Sequence, residues 1–278
     1  MLELADLNAD SLVKMLKASF SLRNWTAMIT IADKLLENVA VIHGTSPQGS
    51  EAKELQRSLV YYFGFSLCAK GIALQKLGDH KGARQCIEKY ADLSWTKLED
   101  EESLSEIEYY KNIAIANSYV VDLLDGNQEV LPEYVQFVME NSRELIPGLI
   151  TILESALKHN YSVNWALNEL QDEVEIDVDN ESRERVRNYT EYLYLLSVYN
   201  FKEGKIIDAI NQTLENIVLS GRLNDETGFR KGVAFFEMVR SHADASQQQE
   251  YYYIMKNILE REFNDEKDTF VVNNRFAD

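Results

Sequence analysis

The residues best suited to chemistry are few in this chain, and their spacing argues against most of it. Zinc needs clustered Cys and His at short spacing. His43, His80, His159 and His242 are scattered, and each falls near the end of an expected helix. Cys68 and Cys86 sit on expected helices among small and apolar residues, the setting of buried free thiols in a reducing compartment. Their spacing also leaves a disulfide open. No GxGxxG or GxxxxGK[ST] loop is present to cradle a phosphate. Neither HExxH nor GxSxG occurs. The acidic run that starts at Asp177 looks briefly like a calcium loop. Its sixth position, however, is Ser182 where glycine is required, and its twelfth is Asn188 where glutamate is required. Asp179 to Ser182 reads better as a helix N-terminal cap. Carboxylate pairs at helical spacing, such as Glu169 and Glu173, read as a solvated acidic face. No catalytic residue, metal site or cofactor is expected, and the chain is not expected to be an enzyme.

The chemistry that remains is recognition. There are fifteen tyrosines, several on helices rich in asparagine. An asparagine side chain carries a donor and an acceptor, so it can hold a peptide's backbone amide in two bonds. Tyrosine adds apolar area with a polar tip. Asn117, Asn168, Asn188, Tyr192 and Asn200 are the candidate peptide-binding residues. The competing reading makes the tyrosines core-edge residues and the asparagines solvated ones.

The elements that must position these residues are helical throughout. Three prolines and twelve glycines in 278 residues are too few for the turns of an all-β fold. The formal charge of −18, from 28 basic and 46 acidic residues, argues against gripping nucleic acid or an anionic membrane surface. It would steer cationic partners inward. No apolar run reaches transmembrane length, and the first residues lack a basic region followed by an apolar stretch. A cytoplasmic protein is expected.

Apolar residues recur at steps of three and four along most of the chain. Helices are expected from Leu12 to Phe20 and from Trp25 to Val39. A loop follows at 44–50. A long helix over 51–77, apolar nearly all round its middle, is followed by a partner over 79–93. Further helices are expected up to about residue 263. The segment 171–180 is acidic and alternates with β-branched residues, and it reads as an exposed connection. The whole gives one helical-repeat domain over 1–264, with clearest repeats at 61–95 and 189–219, and a polar tail over 265–278.

The stretch Lys70-Gly71-Ile72-Ala73-Leu74-Gln75-Lys76-Leu77-Gly78 and its partner carry a specific pattern. Gly71 and Ala83 are small residues where two antiparallel helices would cross. Gly78 can end the first helix in the left-handed conformation, and Asp79 can cap the second. This hairpin resembles a tetratricopeptide pair. A pair of this kind cannot bury its apolar face alone, so it predicts neighbours stacked on it. Gly204 and Ala209 repeat the Gly78–Ala83 spacing, and Asn24-Trp25 stands where Gly78-Asp79-His80 stands. The turns are unevenly spaced, so the repeats are irregular. The expected fold is an all-α, right-handed superhelix of stacked antiparallel helix pairs.

The same stretch resembles the helical-repeat regulators of Gram-positive bacteria, the peptide-responsive Rap and PlcR type. That resemblance implies a short peptide or protein segment held in a concave groove lined by the first helix of each pair, and it implies dimerisation. A regulatory binding module is the leading expectation. Two alternatives stand beside it. The chain is the sensor part of a transcription regulator whose helix-turn-helix domain is missing from it, or it is a Rap-like regulator of phosphotransfer. An upstream helix-turn-helix would favour the first, and a phosphotransfer assay would test the second.

Overall fold

A computed structural model describes residues 4, 7–45 and 54–273, with side chains to residue 260. Among the described residues the chain is all helix, with no strand. It divides into two compact units, Met1–Phe137 and Val138–Asp278.

The first unit holds α1 (Ala9–Ser21), α2 (Trp25–Thr45), α3 (Leu59–Lys76), α4 (His80–Ala91) and α5 (Glu101–Asp125). Each packs on the next, and α3 also packs on α1 and α5. A helix covered on that many sides must be apolar all round. Leu59, Val60, Tyr62, Phe63, Leu67, Ala69 and Ala73 are all buried on it. The expected loop at 44–50 is overrun at its start, since α2 continues through Gly44 to Thr45; residues 46–53 lie outside the described residues. The helix expected over 51–77 starts later, at Leu59. Ser58 accepts a hydrogen bond from the Tyr61 amide (3.3 Å) and caps the helix there. Arg57 turns away to pair with Glu102 (2.8 Å) and Glu106.

Helix α6 (Leu131–Glu140) carries the boundary between the units. The second unit continues with α7 (Leu145–His159), α8 (Asn164–Leu170), α9 (Arg183–Lys202), α10 (Ile206–Leu223), α11 (Glu226–Val239) and α12 (Ala245–Asn273). Here α9 is the central helix, packed on α7, α10 and α11. The backbone of α12 stays helical across most of the stretch read as a polar tail.

One turn design recurs in both units. A residue in the left-handed conformation ends a helix, and the next amide donates back five residues. Gly78 has φ +84°, and the Asp79 amide donates to Leu74 O (2.9 Å). The same pair of features appears at Arg23 and Asn24, Gly126 and Asn127, Asn160 and Tyr161, Gly204 and Lys205, and Asn224 and Asp225. This geometry satisfies carbonyls that a helix end would otherwise leave bare. Asn24, Asp79 and Asp225 then cap the following helix by accepting the Ala27, Gly82 and Gly228 amides. The crossing expected at Gly71 is present. A Cβ there would lie 3.2 Å from Cys86 Cβ and 3.7 Å from Ala83 O.

Helices α10 and α11 meet closely. Cβ atoms at Gly232 and Gly228 would fall 2.5 Å from Asn216 Oδ1 and 2.7 Å from Ser220 Oγ. Both of these oxygens are buried, and neither has an N–H or O–H partner among the described residues. The glycines let Cα–H groups face them instead. Asn216 Nδ2 donates to Thr190 O on α9 (2.7 Å), so one buried amide touches three helices.

Candidate functional site

An open cleft of about 1100 Å³ lies within the second unit. One wall is the turn Ser142–Glu144 and the first turn of α7, with Arg143, Leu145, Ile146 and Pro147. Proline suits that first turn because the amide it lacks would have no helical partner there. The second wall is the segment 173–177. The third is the start of α9, from Glu181 to Asn188.

Local sequence fixes these walls. Ser182 caps α9 by accepting the Arg185 amide (3.2 Å), as the sequence predicts for this region. Arg185 Nη1 then reaches back to Glu181 (2.6 Å) and Nη2 to the Glu175 carbonyl (3.3 Å), pinning the second wall to the third. The lining carries five carboxylates, on Glu173, Glu175, Asp177, Glu181 and Glu184, against the guanidinium groups of Arg143 and Arg185. The lining also includes Leu145, Ile146, Pro147, Val174 and Ile176, all buried or half-buried, whereas four of the five acidic residues are exposed. A concave surface that combines half-buried apolar residues with an excess of carboxylates suits a cationic ligand with apolar area.

Of the five candidate residues, only Asn188 lines this cleft. Asn168 is exposed on α8, away from it. Tyr192 is buried at 4% exposure, and burial raises its phenol pKa. Asn200 is buried at 6% exposure, with Nδ2 donating to Gln212 Oε1 (2.9 Å). Asn117 lies in the other unit, where Nδ2 donates to Tyr90 Oη (2.8 Å) and Cys68 Sγ (3.8 Å). Tyr192 and Asn200 are therefore buried residues that do not line this cleft. The central place of α9 covers the face they occupy. Both cysteines are free.

Three of the five cleft carboxylates, Glu173, Glu175 and Asp177, were in view in the sequence as the acidic connection over 171–180. The missing signal was that α7 turns back across from it. Among the described residues no group of His, Cys, Asp and Glu could hold a metal ion. No described helix is long and apolar enough to cross a membrane. No protein-family model, no curated protein and no solved structure matches the chain.

Proposed function

We propose that this chain is a regulatory binding module whose second unit takes a cationic peptide or protein segment in the cleft between α7 and the start of α9. The observation that carries this reading is the cleft lining, five acidic residues and two arginines together with five aliphatic residues. The repeated turn at helix ends supports reading the helix pairs of each unit as irregular tetratricopeptide-like repeats. Kinship with the Rap and PlcR type regulators belongs to the same proposal and rests on the Lys70 to Gly78 stretch. A cytoplasmic location accompanies it.

Calorimetry with short peptides that combine lysine and aliphatic residues tests the reading. Binding should weaken steeply with salt, because charges on an open surface are screened. It should be lost in the double variant Glu175→Lys, Asp177→Lys, whose folding can be checked by circular dichroism. Unchanged affinity in that folded variant removes the cleft as the site.

A further inference from the structure

The charged groups of the cleft are sorted by wall. On the α7 wall the charged lining residue is Arg143, on the turn Ser142–Glu144; all five lining carboxylates belong to the other two walls. These groups also differ in how far the chain already uses them. Glu181 is held by Arg185 Nη1 (2.6 Å). The Asp177 carboxylate accepts from the Asp179 amide (3.3 Å) and from Asn180 Nδ2 (2.7 Å). The side chains of Glu173, Glu175 and Glu184 have no hydrogen bond or ion pair among the described residues, and neither does the guanidinium of Arg143.

Charges of both signs therefore line one cleft without meeting. A ligand that carried only cations would satisfy the carboxylates and be repelled by Arg143. A ligand that carried both signs would satisfy both sets. The guanidinium is suited to one kind of anion in particular, since its planar fork of N–H donors matches the two oxygens of a carboxylate.

We propose that Arg143 receives a carboxylate of the bound segment, so that the ligand is a zwitterionic peptide, anionic where it lies on the α7 wall and basic where it lies on Glu173, Glu175 and Glu184. This rests on the cleft reading above. The peptide's own C-terminus and an acidic side chain near it present the same group to the guanidinium, and the choice of probes separates them.

Three acetylated peptides share the core Lys-Leu-Lys-Leu. The first ends in a free carboxylate, the second in an amide, and the third adds a glutamate before an amide. Calorimetry measures each against the full chain and against Arg143→Gln. Arg143 is exposed, and circular dichroism checks that the variant folds as the wild type does. An acidic cleft alone favours the amide peptide, which carries the larger positive charge. Binding of a carboxylate peptide to the wild type about threefold more tightly than the amide, the scale of an exposed charge-assisted pair, with that advantage lost in Arg143→Gln, is the expected result. An advantage confined to the first peptide assigns the C-terminus, and one confined to the third assigns the side chain. A wild type that binds neither carboxylate peptide more tightly than the amide overturns the proposal, as does an advantage that persists in Arg143→Gln. Either result leaves the cleft itself as the site, provided Glu175→Lys, Asp177→Lys abolishes binding of the amide peptide. Failure of all three peptides to bind overturns the role of Arg143 and the cleft reading together.

Discussion

The ring of Tyr110 on α5 occupies the space a side chain at Gly64 on α3 would fill. A Cβ at Gly64 would lie 2.2 Å from two ring carbons. Tyr110 is 3% exposed, and its hydroxyl donates to Tyr61 O (3.3 Å), so the ring has no easy way out. Gly64→Ala should lower stability by about 1–3 kcal/mol or more by overpacking. Gly221→Ala on α10, where no atom lies within 4 Å of the new Cβ, should instead raise it by about 0.5–1 kcal/mol. Urea unfolding midpoints of the two variants would move in opposite directions.

Gly71 gives a graded version of the same test. At 3.2 Å from Cys86 Cβ, an alanine needs a shift of only a few tenths of an ångström, and Gly71→Ala should stay close to wild type. Gly71→Leu has no such room and should cost about 2–3 kcal/mol. Equal midpoints for the two variants would show that α3 and α4 do not cross there.

Tyr192→Ala and Asn200→Ala should act on folding rather than on ligand contact. Truncating a buried aromatic residue costs about 3–5 kcal/mol. Removing the Asn200 amide leaves Gln212 without its partner, at about 1–3 kcal/mol. The double variant should show a strongly lowered melting temperature. A folded double variant with normal stability and no peptide binding would return these residues to the site.

Asp100 caps α5. Its carboxylate accepts from the Ser103 hydroxyl (2.7 Å) and amide (3.0 Å), and these bonds hold its pKa below the ordinary carboxylate value. The folded form binds the proton less tightly than the unfolded chain. The cap's contribution is therefore complete above the ordinary pKa of about 4 and is lost as pH falls through the lower folded value. Asp100→Ala should cost about 1 kcal/mol at neutral pH. The gap between variant and wild type should close on acidification. A gap that widens towards low pH would contradict the cap.

Burial pushes the Cys68 thiol up to about 11, and Cys86 is raised by burial as well. The thiolate is the reactive form. In the native protein at pH 8, Cys68 should react with a disulfide reagent far more slowly than a free thiol, and it should react readily in urea. Fast native labelling would place the thiol in solvent.

The turns and most helix boundaries were legible because their determinants are local. Gly78-Asp79 and the Ser182 cap need only the residues beside them. The start of α3 was not legible. Residues 51–57 raise no helix-breaking signal, and what draws Arg57 aside is Glu102 and Glu106, more than forty residues on. The rotation of α9 was not legible either. Apolar and aromatic residues occur all round it, so periodicity alone cannot say which face Tyr192 and Asn200 take. The cleft was half legible. Its carboxylates and its alternation stood in the sequence, but the aliphatic wall opposite comes from Leu145 to Pro147, and only the fold brings it there.

The contacts of Asn216 have a consequence for synthesis. A chain leaving the ribosome has completed α9 before Asn216 is made, and it has completed Asn216 before Gly232 is made. Until both have emerged, the Thr190 carbonyl lacks the amide that covers it, and the Asn216 oxygen lacks the flat glycine face it rests on. α9, α10 and α11 should therefore become protease-resistant together. Ribosome-stalled chains cut short of Gly232 should leave all three open to digestion.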